Sequence, residues 1–228
     1  TVDNTSVANL FMQNLTITGN ALHGVELERR GNSIDNLTLQ NSTITGTATS
    51  GDGLNLLYTN GAAPTPLLVN LTNNVITGNT DGVDINTSAN SNIVVDIIGN
   101  TISNNRDNGV LISSTNASSV GNPLDGTASR LLGNTINNNG NVDGEAGIRL
   151  ITNSTAFHNF LIGDNGGIRT TLNGNFDGIR ISDSSSAAGV NPTANTYNIT
   201  QTDIIDSVND GIQLDLTNSN QTTVNIGD

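Results

Sequence analysis

The chain has 228 residues and a formal net charge of −13 at pH 7, with 39 asparagines, 30 threonines and 25 glycines but no cysteine or lysine. The chain is acidic and has no basic stripe, which excludes a nucleic-acid-binding protein. No apolar run approaches the roughly 18 residues of a membrane span. The missing cysteine excludes disulfides and thiolate metal sites, and the missing lysine excludes Schiff-base chemistry. We therefore expect no nucleic-acid partner and no membrane insertion.

The dominant feature of the sequence is a repeat of 27 to 38 residues. Each repeat contains a glycine followed by a branched aliphatic, any residue, and Ile or Leu, beginning at Gly24, Gly53, Gly82, Gly109, Gly147, Gly178 and Gly211. A second apolar position precedes each glycine, at Ile17, Ile44, Ile76, Ile102, Ile136, Ile168 and Ile204. A third short run follows each glycine and ends near Leu39, Leu71, Ile97, Leu131, Leu161, Ile199 and Ile226. Three alternating runs per repeat predict three short strands per coil.

These runs predict an all-β fold in which about seven coils stack into a right-handed parallel β-helix. The aliphatic residues are expected to stack inside, and the repeated glycine is expected to supply the positive φ of a sharp corner. Residues 1–228 are predicted to form one domain. Because a solenoid needs polar caps and neither end offers one, we expect this domain to be a segment of a longer array.

Phrases such as Asn14-Leu15-Thr16-Ile17-Thr18-Gly19-Asn20 and Gly99-Asn100-Thr101-Ile102-Ser103-Asn104-Asn105 resemble the right-handed parallel β-helix repeats of the pectin-lyase-like superfamily. The resemblance covers nearly the whole chain and is closest to non-catalytic surface and adhesin repeats. It implies the fold but no single activity, because the fold hosts polysaccharide lyases, glycoside hydrolases, adhesins and stalks.

The catalytic motifs of polygalacturonases are incomplete here. Asn79-Thr80-Asp81 matches the first of them, but no Asp-Asp pair follows, and the only His-Gly, at His23-Gly24, comes earlier in the chain. The sequence therefore predicts no catalytic residues. If the chain is an enzyme, the resemblance implies a polysaccharide lyase or a glycoside hydrolase.

Acidic residues precede several of the repeated glycines. Asp52 and Asp81 occupy adjacent coils, about 5 Å apart, and Asp84 extends the acidic patch from the strand. A bound Ca²⁺ would relieve the repulsion between these carboxylates, so they are a candidate metal site. The alternative is that Asp-Gly is simply good corner chemistry.

A second candidate calcium site is the loop 139–144, where Asn139, Asn141 and Asp143 alternate before a glycine. Leu150 stands where an EF-hand loop places its bidentate Glu, so the match is partial. The two histidines, His23 and His158, are expected at the surface or in turns.

Two further patterns lie on predicted strands. Arg149 and Arg180 occupy adjacent coils and are candidate ligand-binding residues for an acidic glycan, with pairing to Glu145 and Asp177 as the alternative. Threonines flank the second apolar position in the early coils. This Thr-x-Thr pattern resembles that of β-helical antifreeze proteins. In the later coils, however, the equivalent positions are expected to be Asn137, Arg169 and Ile205. The β propensity of Thr therefore explains the pattern better.

Taken together, these features predict a non-enzymatic extracellular stalk or adhesion module of a larger bacterial-type surface or secreted protein. Its expected partners are neighbouring coils or domains of that same protein. The alternatives left open are a polysaccharide-active or glycan-binding β-helix that uses surface Asp and Arg, and a fibre subunit that associates end to end.

Overall fold

The computed structural model describes residues 2–3, 7–30, 34–46, 51–59, 66–186, 194–217 and 222–227. These residues form an all-β parallel solenoid with three strands per coil, as the repeat predicted. None of them lies in a helix that could span a membrane.

The strands of successive coils pair into three parallel sheets, named here A, B and C in the order in which the chain visits them. Sheet A contains Val2–Asp3, Val25–Arg30, Leu54–Thr59, Val83–Thr87, Val110–Ser114, Ala146–Ser154, Asp177–Ser185 and Ile212–Leu216. Sheet B contains Val7–Gln13, Ile34–Gln40, Leu67–Thr72, Asn92–Ile98, Ser119–Val120, Ser129–Leu132, Phe157–Gly163, Asn195–Thr200 and Thr222–Gly227. Sheet C contains Thr16–Thr18, Thr43–Thr45, Val75–Thr77, Thr101–Ser103, Thr135–Asn137, Thr170–Asn173 and Thr202–Ile205.

The core is a set of aliphatic columns that run along the solenoid axis. In sheet A, for example, Ile85, Ile112 and Leu150 lie in register on successive coils and are fully buried. Because side chains alternate between the faces of a strand, every second residue enters this core and its neighbours face outward.

The prediction of a buried position is wrong for one residue, Ile168. Ile168 does not occupy the central position of its sheet C strand but lies in a turn, bridged to Asn165 and 65% exposed. Leu172 takes that position, in register with Ile136 before it and Ile204 after it. An expected end of a sheet B strand also shifts by one residue, because Leu131 pairs with Ile162 rather than with Leu161.

The repeated glycines are required for a different reason from the one expected. Their φ values are not positive; instead, a Cβ on Gly82 would lie 2.5 Å from the carbonyl oxygen of Gly109 and 2.6 Å from Ile102 Cγ2. The same steric conflict recurs at Gly53 and Gly109. These glycines allow close packing between coils, whereas positive φ falls largely on other glycines and on asparagines such as Asn73 and Asn104.

Two ladders of buried asparagine side chains flank sheet C inside the solenoid. One lies where the chain passes from sheet B to sheet C, at Asn74, Asn100 and Asn134. The other lies where the chain leaves sheet C, at Asn79, Asn105, Asn139 and Asn175. In each ladder, a side-chain oxygen accepts the backbone N–H of the corresponding residue in the preceding coil, at 2.8–3.1 Å. These bonds satisfy backbone groups at corners, where the sheets' own hydrogen bonds are interrupted.

Candidate functional site

Charged side chains from several coils line the outward face of sheet A. One column of this face runs through successive coils in register and comprises Glu26, Asn55, Asp84, Leu111, Arg149, Arg180 and Gln213. The column changes from acidic to basic along the axis. The corner residues Asp52 and Asp81 adjoin its acidic half. All the residues predicted for the first metal site and for the ligand site therefore lie on one face.

Asp52 and Asp81 act as hydrogen-bond acceptors between coils. The Asp81 backbone N–H donates to Asp52 Oδ1 at 3.1 Å, and the Asn108 backbone N–H donates to Asp81 Oδ1 at 2.7 Å. Asn108 continues the series by accepting the Ala146 N–H at 2.9 Å. Both carboxylates are more than nine-tenths buried. The sequence thus correctly placed these acids at corners, where they form a third ladder.

Asp84 lies on the strand next to this ladder and carries the most perturbed carboxyl group of the face. Burial, followed by repulsion from Asp81 and Asp52, raises the pKa of Asp84 to about 7. Burial also raises the pKa of Asp81 to about 6, against the hydrogen bonds from Asn108. The pKa values of these two carboxyl groups therefore lie close to neutral pH, where ordinary carboxyl groups are fully ionised.

The described residues do not group these acids into a metal centre. No cluster of three or more Asp, Glu, His or Cys side chains within the described ranges is arranged to hold an ion. Asp52 Oδ2 accepts from Asn55 Nδ2 at 2.9 Å, and Asp84 Oδ1 accepts from Asn86 Nδ2 at 2.8 Å. These carboxylate oxygens thus contact amide nitrogens, whereas a calcium ion would need further oxygen ligands around it. Calcium at Asp52, Asp81 and Asp84 stays a prediction from the sequence.

We expect Asp84→Asn to stabilise the protein at alkaline pH. A carboxyl whose folded pKa lies above its usual 3.8 contributes stability that is present below pH 3.8 and lost as the pH rises through about 7. After discounting for solvent screening, the gain should be about 1–2 kcal/mol at pH 8 and close to zero at pH 4. Thermal unfolding from pH 4 to pH 9 measures it.

The control for this prediction is Asp96→Asn. Asp96 forms a salt bridge with Arg130 on sheet B, with Asp96 Oδ1 at 2.9 Å from Arg130 Nε, so its removal should bring no alkaline gain. Equal stabilisation by both variants would show that general charge reduction, rather than the position of Asp84, is responsible.

The residues of the second predicted calcium site contact three different parts of the molecule. Asn139 is fully buried, and its Oδ1 accepts the Asn105 N–H at 3.1 Å within the second asparagine ladder. Asn141 Nδ2 donates to the Arg106 carbonyl oxygen at 2.8 Å. Asp143 is exposed and pairs with Arg180 at 3.1 Å. Glu145 accepts backbone N–H groups of the same loop, including that of Val142 at 3.0 Å.

Arg149 and Arg180 are adjacent but differ in their partners. Arg180 pairs with Asp143, Asp177 and Asp215 at 3.1, 3.4 and 3.0 Å. The Arg149 guanidinium has no hydrogen bond or ion pair with any described residue, and its Nε is buried without a partner. Burial, followed by repulsion from Arg180, lowers the pKa of Arg149. The expected pairing with Glu145 and Asp177 therefore holds only for Arg180, and only with Asp177.

A buried polar cluster was missed by sequence reasoning. His158, expected at the surface, is fully buried between sheets A and B, and its Nδ1 lies 2.8 Å from Thr152 Oγ1. Its Nε2 forms a hydrogen bond with Ser114 Oγ. Tyr197 OH lies 2.8 Å from the same Thr152 hydroxyl. No sequence signal marks this cluster, because the pairs of residues that these hydrogen bonds join are 6 to 45 residues apart.

Comparisons with known proteins found no match among protein-family models, curated proteins or solved structures. The fold assignment therefore rests on the pairing of the chain's own strands.

Proposed function

We propose that the chain is a rigid, non-enzymatic stalk or adhesion module of a larger secreted or cell-surface protein of bacterial type. Its repeat phrases support placing it with the right-handed β-helices of the pectin-lyase-like superfamily, nearest to the non-catalytic surface repeats. An extracellular location belongs to the same proposal.

The observation that carries this proposal is the use made of the corner acids. Asp52 Oδ1, Asp81 Oδ1 and Asp177 Oδ1 each accept a backbone N–H from the next coil, at 2.7–3.2 Å. A general acid or a nucleophile must instead present its reacting atom to a substrate. Groups that could perform chemistry are thus used to hold one coil to the next.

Such ladders favour a mechanical role. In a solenoid each coil contacts only its neighbours, so stiffness depends on how well every coil-to-coil interface is bonded. Here the corner from sheet B to sheet C carries one ladder of side-chain bonds between coils, and the corner from sheet C to sheet A carries two, in addition to the bonds of the sheets. Seven coils at about 4.8 Å per coil give a rod about 34 Å long.

A second candidate function, the binding of an anionic glycan, is favoured by Arg149. A half-buried guanidinium without a carboxylate partner can gain a charge-assisted pair from a ligand that brings its own anion. A uronate carboxylate or a sulfate ester has the planar or multidentate oxygens that Arg grips. The ligand would lie along sheet A next to Arg180, whose own charge is already balanced.

One experiment tests both candidates. Wild type, Arg149→Ala and the control Arg130→Ala are applied to an array of uronate-containing, sulfated and neutral polysaccharides, and the supernatants are assayed for chain cleavage. Arg130 is a suitable control because it lies on sheet B, paired with Asp96. We expect no cleavage, and a loss of acidic-glycan affinity of about tenfold or more in Arg149→Ala alone.

Cleavage by the wild type would overturn the non-enzymatic proposal. Absence of binding, or equal binding by Arg149→Ala, would overturn the glycan site and leave the stalk as the proposed function.

A further inference from the structure

The outward side of sheet A carries two columns of residues in register, one residue of each column per coil. The first is the column from Glu26 to Gln213 described above. The second comprises Glu28, Leu57, Asn86, Ser113, Ile151, Ser182 and Asp215. None of these fourteen residues is buried. We call the surface that they form the sheet A face.

The charges at the middle of the first column are arranged symmetrically about Leu111. Asp84 lies one coil before Leu111, and Arg149 lies one coil after it. Two coils separate Asp84 from Arg149 by about 10 Å along the axis, which is too far for a direct ion pair between them. The Asp84 carboxylate accepts hydrogen bonds from the amides of Asn55 and Asn86, and the Arg149 guanidinium has no partner among the described residues. One copy of the chain thus places an acid and a base on one column without joining them.

We propose that two copies of the chain associate face to face through the sheet A face, in antiparallel orientation, with Asp84 of each copy paired to Arg149 of the other. The two-fold axis is parallel to the strands and passes over Leu111. It keeps each column opposite itself and reverses the order of the coils, so every contact occurs twice. Each half-buried Arg149 thereby gains the charge-assisted pair that its own copy does not supply.

The order of charges selects this orientation over the parallel one. A two-fold axis along the solenoid would place each coil opposite its own equivalent, so Arg149 would face Arg149 and Asp84 would face Asp84. Both contacts are repulsive and would cost the dimer free energy. Turning one copy end for end converts both into attractive pairs.

The middle of the sheet A face is its apolar part. Leu111, Ser113 and Ile151 are neighbours there, in register on two successive coils. In the antiparallel dimer they lie at the centre of the contact, with the two Asp84–Arg149 pairs on either side of Leu111. The acids Glu28 and Asp215 face each other only at the ends, and each is already paired with an arginine of its own copy. An apolar centre within a polar rim is the usual arrangement of a protein interface.

The loop 138–145 also fits this arrangement. It borders the sheet A face beside Arg149, because its Asp143 pairs with Arg180 on that face. The same two-fold axis places this loop opposite the shorter connection 78–82 of the other copy. A longer loop on one half therefore meets a shorter connection on the other half, and the two faces can approach.

The size of the sheet A face predicts a weak and reversible dimer. Seven coils and five residues per strand give a face of about 34 Å by about 17 Å. Its burial on both copies removes about 1,200 Å² from water, at the lower end of specific interfaces. We therefore expect a dissociation constant on the order of 10 μM.

This inference rests on the proposed adhesion role for its use. Antiparallel axes join rods that extend from opposite directions, as rods on two opposing surfaces do. The partner of such an adhesion module would be a second copy of the same chain. The association itself is a property of the isolated chain and is measured in solution.

The first test is sedimentation equilibrium at pH 8 in about 0.15 M NaCl. Asp84, with a pKa of about 7, is then ionised, and the repulsion between copies of charge −13 is screened beyond about 8 Å. Asp84→Arg and Arg149→Asp should each weaken the dimer at least tenfold, because like charges then face each other. An equimolar mixture of the two variants, and the double variant, should each restore the dimer, because opposite charges face each other again. The control Arg130→Asp makes the same change of charge on sheet B and should leave the dimer unchanged.

The second test locates the two-fold axis without changing a charge. The chain has no cysteine, so Leu111→Cys provides a single thiol, which lies opposite its own equivalent in the antiparallel dimer. A short bis-maleimide should cross-link this variant into covalent dimers. The control is Leu57→Cys, on the same face but two coils from the axis, where the two thiols would be about 19 Å apart. Its yield of covalent dimer should be at least tenfold lower.

The proposal is overturned if the wild type stays monomeric at millimolar concentration, or if neither the mixture nor the double variant restores the dimer. Equal weakening by Arg130→Asp would also overturn it, because association would then follow net charge rather than position. Equal cross-linking of Leu57→Cys and Leu111→Cys would exclude the two-fold axis over Leu111. A monomer that binds acidic glycans through Arg149 would show that a glycan, and not a second copy, supplies the anion. Cleavage on the glycan array would overturn the non-enzymatic proposal and leave the dimer unaffected.

Discussion

Replacing Asn100 by Ala should lower the free energy of unfolding by about 3 kcal/mol or more. Asn100 Oδ1 accepts the Asn74 N–H at 2.8 Å, and Asn100 Nδ2 donates to the Leu71 carbonyl oxygen at 2.8 Å. Its own N–H donates to Asn134 Oδ1 at 2.9 Å. Ala would leave a donor and an acceptor buried without partners, and each costs about 1–3 kcal/mol. The cavity left by the amide group adds to this.

The control for this prediction is Asn70→Ala. Asn70 is an outward residue of sheet B and is not buried, so its replacement should change the free energy of unfolding by about 0.5 kcal/mol or less. Urea unfolding followed by circular dichroism measures both variants. If Asn100→Ala unfolds at the same urea concentration as Asn70→Ala, the ladder is not what holds the coils together.

Protonation of His158 should destabilise the protein in mild acid. Burial lowers the pKa of His158 from 6.5 to about 3, so the folded state binds this proton less readily than the unfolded chain does. The stability held by neutral His158 is complete above pH 6.5 and is lost as the pH falls towards 3. This loss should reach about 2 kcal/mol at pH 5 and about 3 kcal/mol at pH 4.

The effect is read as the difference between wild type and His158→Gln. That difference removes the opposite trend of Asp81 and Asp84, whose raised pKa values add stability as the pH falls. The groups facing His158 are Ser114, Thr152 and Tyr197. Burial raises the pKa of Tyr197, so its hydroxyl stays protonated over this range, and the negative charge of Asp183 opposes the lowering of the His158 pKa. A difference that does not vary from pH 7 to pH 4 would show that folding does not shift the pKa of His158.

Sequence reasoning found the coil because its signals are local. A glycine, an aliphatic and an Ile or Leu recur within four residues, as in Gly82-Val83-Asp84-Ile85, and the alternation of faces follows from strand geometry. The prediction of the central sheet C residue was wrong in the coil of Leu172. That coil differs in length from its neighbours, and Ile168 is an equally apolar residue nearby. The asparagine ladders carried the missing signal: Asn74, Asn100 and Asn134 each stand two residues before the central aliphatic, as Thr170 does before Leu172.

The candidate site was predicted in part. The neighbouring positions of Asp52, Asp81 and Asp84, and of Arg149 and Arg180, follow from the repeat and are found on one face. Their partners could not be predicted, since they come from other coils: Asp215, which pairs with Arg180, is 35 residues further along the chain. The ladder contacts of Asn139 could not be predicted for the same reason, because its partner Asn105 is 34 residues away in the chain.

The sequence by itself determined the solenoid, its three strands per coil and, apart from Leu172, the central residues of the sheet C strands, because each depends on spacing within one repeat. Only the tertiary structure decided what the polar residues do. Asn105 and Asn104 are adjacent and identical, but one is a buried ladder residue and the other an exposed corner residue with φ of 55°. That difference depends on which backbone groups the next coil presents.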